Sequence, residues 1–172
     1  MTVVIVGHGP SLVGKGLGPV IDAFEAVVRL KHGRAGDPRD YGTKEDMRVA
    51  STEVPGCFSP EVLNVAYPKK GWYDEGPILN LGFEVKVPLN LCNTWNARFR
   101  EMNPSHPNVS TGTAAIIIAA HGFRPTEIVL AGFDTLLDPK RSFARNDSIP
   151  RTGVGPYPGH DWEQEHRLLK EI

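Results

Sequence analysis

The stretch PNVSTGTAAIIIAAHGFRPTEIVLAGFD, residues 107–134, decides the fold. A hydroxyl-rich Ser-Thr-Gly cap at 110–112 opens an apolar segment that ends at Gly122, and a second apolar run follows at 128–131. This order predicts a loop, a buried helix, a second loop and a buried strand. The first turn of a helix has free backbone N–H groups and a partial positive charge, so the cap predicts a seat for a phosphate or carboxylate.

Working outward, short β-branched runs alternate with helical segments along the chain. The predicted strands are 2–6, 26–30, 47–51, 64–67, 84–88 and 128–131, and the other predicted helices are 15–24, 94–102 and 161–172. Polar loops are predicted at 31–46 and 138–158. The alternation indicates an α/β, Rossmann-like single domain over residues 1–172, with a mostly parallel sheet flanked by helices. In such sheets ligands bind beyond the carboxyl ends of the strands.

Composition excludes several classes of function. The net charge of −1 favours neither nucleic acid nor an anionic membrane surface as a partner. The apolar runs are too short to span a bilayer, and the first residues are typical of a strand, so a cytoplasmic location is expected. Cys57 and Cys92 lack metal-ligand spacing and are expected as free thiols, with a disulfide left open. The oligomeric state is also left open, a homo-oligomer included.

Five fragments stand out in chain order: VIVGHGPSL at 4–12, AVVRLK at 26–31, DYGTK at 40–44, the stretch 107–133 and GHDWEQE at 159–165. Together they resemble motifs of the sialyltransferases, both the animal-type family and the small bacterial and phage-like members. The first is similar to the family's glycine turn after strand one, and the last matches a motif of His, four residues and Glu. The middle of the chain, about residues 53–105, carries no resemblance.

The resemblance implies a glycosyltransferase that moves a sialic-acid-type sugar from a CMP donor to an acceptor hydroxyl, with inversion. Its partners would be the nucleotide-sugar donor and a glycan or small-molecule acceptor. Since the leaving phosphate is a stabilised anion, no cofactor and no metal are expected. A compact, bacterial or phage-like member is implied.

The attack on the sugar needs a base that titrates near neutrality, and the resemblance assigns this role to His160. Asp161 is expected to cap the last helix with Gln164 as its partner, which leaves His160 outside the helix. Glu165 is expected to orient the site. The structural alternatives are a surface histidine at a helix start and an ordinary helix-surface glutamate.

The donor is expected to contact backbone amides and hydroxyls at two corners and cations nearby. The predicted binding residues are Gly7, His8, Gly9, Pro10, Ser11, Lys31, Ser110, Thr111, Gly112, Arg151 and Tyr157. His8 and Lys31 stand where the family usually has Asn. The structural alternatives are a tight turn without a ligand and plain helix capping by Asn108 or Ser110.

Two other classes of function stay open. One is a nucleotide-binding module without catalysis. The other is a pyrophosphokinase-like enzyme that uses a nucleoside triphosphate with magnesium. That chemistry needs clustered acids at strand ends, for which Asp46 and Asp134 are the candidates.

Overall fold

The computed structural model describes residues 1–33, 36–51, 57–67, 81–102, 104, 109–134 and 161–172. Its strands are β1 (Thr2–Val6), β2 (Ala26–Leu30), β3 (Met47–Ser51), β4 (Leu63–Tyr67), β5 (Val85–Lys86) and β6 (Glu127–Ala131). Its helices are α1 (Gly18–Asp22), α2 (Pro38–Tyr41), α3 (Leu89–Met102), α4 (Thr111–Phe123) and α5 (Trp162–Leu169), with a 3-10 turn at Pro10–Leu12.

The strands form one sheet in the order β5-β4-β3-β2-β1-β6, and each described pairing is parallel. The predicted α/β, Rossmann-like fold with a parallel sheet is therefore confirmed. The chain adds strands outward from β1 as far as β5 and then returns to place β6 on the other side of β1. That reversal is a topological switch point, and open α/β sheets bind their ligands beyond the carboxyl ends of the strands at such a point.

Helices cover both faces of the sheet, which explains why the inner strands are continuous apolar runs. The face packed against α4 buries Val3, Ile5, Val28, Ala115 and Ile118. The face near α1 and α2 buries Val4, Val6, Val27, Ile21 and Tyr41. A third cluster joins α3, α4 and α5 through Cys92, Phe99, Ile117 and Leu168. Three helices therefore meet at one flank of the sheet.

Two sequence predictions need correction. The segment 31–46 is not entirely loop, because Pro38–Tyr41 forms α2 with Asp37 as its cap, accepting a hydrogen bond from the backbone N–H of Arg39. The helix predicted at 94–102 begins at Leu89 instead. The first turn of this helix is closed by the N–H of Cys92, which donates to the carbonyl of Pro88. Proline is tolerated there because its missing N–H would have no partner at the start of a helix.

The predicted helix at 15–24 shortens to α1. Gly14 and Gly16 have φ of 71° and 65°, outside the helical region, so the segment before Leu17 is a turn. Within the described ranges, none of the helices is both long and apolar enough to cross a bilayer.

Candidate functional site

The glycine turn after β1 lies directly against the end of β6. The N–H of Gly7 donates to the carbonyl of Ala131 at 2.8 Å, and that of Gly9 donates to Gly132 at 2.7 Å. A Cβ on Gly7 would lie 2.5 Å from the Gly132 carbonyl oxygen, and one on Gly9 would overlap the carboxylate of Asp134. Both glycines are therefore required by the close approach of two chain segments at the switch point, whether or not a ligand is bound.

Asp134 ties the glycine turn to β6. Its Oδ2 accepts hydrogen bonds from Ser11, from the N–H at 3.2 Å and from Oγ at 2.9 Å. From the sequence, Asp134 was a candidate metal ligand only, and its contact with Ser11 was not predicted. One feature of the sequence could have indicated this contact. An acidic residue directly after a buried strand lies at the carboxyl edge of the sheet, where the turn after β1 also lies.

Asp134 and Asp46 do not share a magnesium site. Asp46 precedes β3 and accepts a hydrogen bond from the N–H of Val27 at 2.8 Å, so it lies at the amino edge of the sheet. Asp134 follows β6 and lies at the opposite, carboxyl edge. Among the residues that the structure describes, no three His, Cys, Asp or Glu side chains are grouped to hold a metal ion.

The Ser-Thr-Gly corner begins α4, and Ser110 is its cap. The Ser110 side chain accepts a hydrogen bond from the N–H of Thr113 at 3.2 Å, so the capping alternative is what the helix uses. In the described part of the chain the N–H groups of Thr111 and Gly112 donate no hydrogen bond. Capping therefore leaves these two amides at the positive start of α4, beside the Glu165 carboxylate that accepts from the Ser110 N–H.

The corner and the glycine turn meet at one aromatic ring. A Cβ on Gly112 would lie 2.9 Å from Cε1 of Phe133, and a Cβ on Gly7 would lie 3.1 Å from its Cδ2. Phe133 follows β6 and is 8% exposed. The glycine turn and the Ser-Thr-Gly corner, at which donor contacts are predicted, therefore lie side by side at the switch point.

Glu165 reaches the same corner from α5. Its carboxylate is fully buried and accepts from the Ser110 N–H at 2.9 Å, from Ser110 Oγ at 2.6 Å, and from Thr113 Oγ1. The alternative of a helix-surface glutamate is wrong. The cap of α5 is the predicted one, because the Asp161 side chain accepts from the N–H of Gln164 at 3.0 Å. Glu165 thus fastens the start of the last helix to the corner.

On the other side of β1, His8 packs against the turn after β2. Its side chain is 9% exposed, and burial, followed by the charges of Lys31 and His32, lowers the pKa of His8 to about 4. Backbone groups of Leu30 and Gly33 oppose that shift. The ring is therefore neutral at physiological pH. Lys31 has a left-handed backbone, φ 48°, and its N–H donates to the Val49 carbonyl.

The DYGTK fragment braces the glycine turn. Asp40 accepts from the N–H groups of Gly14 and Gly16 at 2.6 and 2.9 Å, which lowers the pKa of the Asp40 carboxyl. Tyr41 donates its hydroxyl to the Gly9 carbonyl at 2.8 Å in a buried contact. Sequence reasoning matched this fragment to a motif but assigned it no role. The contacts make it a support for the turn rather than part of a binding surface.

Three predicted residues, Arg151, Tyr157 and His160, lie outside the described residues. Pro10 begins the 3-10 turn after Gly9. The structure therefore brings together the glycine turn, the Ser-Thr-Gly corner and Glu165, and it places His8 and Lys31 at the same edge beside β2.

Comparisons with known proteins identify the class of fold. No family model matches the sequence, and no curated protein does either. A solved mammalian sialyltransferase matches with a TM-score of 0.62 and 21% identity, over 99% of this chain and 64% of that one. A mammalian sialyltransferase in complex with Gal-beta-1-3GalNAc-ortho-nitrophenol matches with a TM-score of 0.58 and 18% identity, over 99% and 65%.

The chain therefore has a sialyltransferase-like fold, and the expected resemblance is confirmed at that level. It spans a little under two thirds of the length of those two structures.

Proposed function

We propose that the protein is a glycosyltransferase that transfers a sialic-acid-type sugar from a CMP donor to an acceptor hydroxyl. One observation carries the proposal. The glycine turn and the Ser-Thr-Gly corner meet across Phe133 at the switch point of a sialyltransferase-like sheet. That edge is where an open α/β sheet binds its ligand, and the start of α4 offers amides to an anion there.

In this proposal the donor lies across the carboxyl edge of β1. The amides of Thr111 and Gly112 bind its carboxylate or phosphate, and the turn from Gly7 to Ser11 accommodates the nucleotide. Lys31, Arg151 and Tyr157 donate to the phosphate. The supporting facts are the open N–H groups at the start of α4 and the position of Lys31 directly after β2.

His160 is the proposed base. It takes the proton of the acceptor hydroxyl as that oxygen attacks the anomeric carbon, while the bond to the phosphate breaks on the opposite face and its electron pair stays on the phosphate. Attack from the opposite face gives inversion. His160 directly precedes Asp161, and consecutive Cα atoms are about 3.8 Å apart, so anchoring α5 at the corner supports this assignment.

Thermal shift measurements test the donor class. With cytidine, uridine and adenosine nucleotides, CMP is expected to raise the Tm in the presence of EDTA. Stabilisation only by a magnesium-bound nucleoside triphosphate would reject the transferase and favour the pyrophosphokinase-like enzyme. The opposite placement of Asp46 and Asp134 supports the expectation that this second result is not obtained.

Transfer assays test the base. His160→Ala is expected to abolish sugar transfer while CMP binding survives, because the base acts on the acceptor. His166→Ala, on the exposed side of α5, is the matched control and is expected to retain activity. Near-wild-type turnover in His160→Ala would remove His160 from the mechanism. CMP binding by the wild type without transfer to any glycan would instead support a binding module.

A further inference from the structure

His8 carries a buried polar atom that needs a partner. Nε2 of His8 is enclosed and has no hydrogen-bond partner among the described residues, and the side chain is 9% exposed. Leaving such an atom unpaired costs about 1–3 kcal/mol. Since buried polar atoms are otherwise almost always paired, the exception points to a contact that a ligand supplies.

The charges around His8 define what that ligand is. Lys31 and His32, both in the turn after β2, are the charged groups that act on the ring, and both disfavour its protonation. The carboxylate of Asp134 lies against Gly9 and accepts two hydrogen bonds from Ser11. A group that enters beside Lys31 therefore meets positive potential, and an anion is favoured.

We propose that His8 and Lys31 distinguish the charge state of the nucleotide phosphate, binding a phosphomonoester dianion more tightly than a phosphodiester and placing a proton on His8 as the dianion binds. This inference rests on the proposed function. Because Nε2 is enclosed, binding requires a rotation of the His8 ring that brings Nε2 to a phosphate oxygen beside Lys31, which then becomes its partner. The negative charge offsets the effect of Lys31 and His32, so the protonated ring becomes stable.

The consequence lies in the transfer reaction itself. A CMP-sugar is a phosphodiester with one negative charge on its phosphate, whereas CMP is a monoester whose second ionisation lies near pH 6. Charge accumulates on the phosphate as its bond to the sugar breaks. A site that prefers the dianion therefore binds the leaving group more strongly than the donor, which lowers the barrier to transfer. It also makes CMP a strong product inhibitor.

Calorimetric titration of CMP and of its methyl phosphodiester tests the preference directly. The wild type is expected to bind CMP at least about tenfold more tightly than the methyl ester, a difference of about 1.4 kcal/mol. His8→Asn is expected to reduce this preference to about threefold or less. Lys31→Asn, an exposed change that spares the core, is expected to reduce it as well. His166→Asn is the control and should keep the wild-type preference.

Calorimetric titrations of the protein with CMP at pH 6.5, in two buffers of different ionisation enthalpy, measure how many protons are taken up when CMP binds. The wild type is expected to take up more protons with CMP than His8→Asn does. If CMP binds but the preference and the proton count match in wild type, His8→Asn and Lys31→Asn, the inference is overturned and the proposed function stands. If no cytidine nucleotide binds the wild type, both fail.

Discussion

Two regions at the carboxyl edge of the sheet differ in how well their polar groups are paired. In the Glu165 cluster, formed by Ser110, Thr113 and Glu165, one buried carboxylate accepts three hydrogen bonds. At the His8 edge, formed by His8, Lys31 and His32, a buried nitrogen lacks a partner and positive charge is concentrated. The first region is a frame whose polar groups are paired, whereas the second contains a buried polar atom without a partner in the described part of the protein.

The largest expected loss of stability lies between the two regions, where the glycine turn after β1 touches the end of β6. Gly9→Ala is expected to lower the free energy of unfolding by more than about 3 kcal/mol, because the new methyl group overlaps Asp134 and the Gly132 carbonyl. Gly9 has an extended backbone, φ −72°, so the cost comes from the overlap alone. Urea unfolding measures the change.

Gly122→Ala is the matched control for Gly9→Ala. Gly122 lies on α4 near its end, and nothing is within 4 Å of the added Cβ. Alanine is a better helix former, so the protein should gain about 0.5–1 kcal/mol. A Gly9→Ala variant as stable as wild type would show that β1 and β6 do not meet as described.

The Glu165 cluster is the next test. Glu165→Ala is expected to cost about 3 kcal/mol, because it leaves the Ser110 N–H and two hydroxyls without their acceptor. Glu163→Ala on the exposed side of α5 removes an ion pair with Arg167 and should cost less than about 0.5 kcal/mol. Equal losses in the two variants would contradict the framing role of Glu165.

The buried His8 predicts that the free energy of unfolding depends on pH, with a change of intermediate size. Burial holds the pKa of His8 at about 4, below its ordinary 6.5, so between these values the unfolded state binds more protons. The stability present above pH 6.5 is therefore lost as the pH falls toward 4. About 2 kcal/mol should disappear between pH 7 and pH 5. His8→Asn should flatten this part of the curve, and an unchanged slope would refute the assignment.

The smallest expected effect tests the support of the glycine turn. Tyr41→Phe removes the hydroxyl that donates to the Gly9 carbonyl and is expected to cost about 1 kcal/mol. Amide hydrogen exchange should become faster in the turn from Gly7 to Ser11 while α4 keeps its protection. Faster exchange throughout α4 as well would mean that Tyr41 supports the whole fold rather than the turn.

Local pattern predicted the inner strands well. β1, β2 and β3 have the predicted bounds, and β1 and most of β2 are apolar because these strands are buried on both faces. The starts of α2 and α3 were missed, because Pro38 was predicted in a loop and Pro88 at the end of a strand, whereas both prolines stand at helix starts. The capping of α4 and α5 was predictable because those contacts span three residues.

The contacts that assemble the candidate site were beyond local pattern. Glu165 and Ser110 are 55 residues apart in the chain, and Ser11 and Asp134 are 123 apart. No periodicity in the sequence encodes contacts between residues so far apart, and a glutamate on a helix is usually exposed. Family resemblance pointed to segments that lie together in the fold, yet the contacts of Asp134, Thr113 and Tyr41 follow only from the structure.

The most direct test is a crystal of the protein soaked with CMP in the absence of metal. The account predicts the nucleotide at the carboxyl edge of β1, with its phosphate within hydrogen-bond distance of Lys31 or of the Thr111 and Gly112 amides. A nucleotide bound at the amino edge of the sheet, or a crystal that takes up no CMP at saturating concentration, would contradict it.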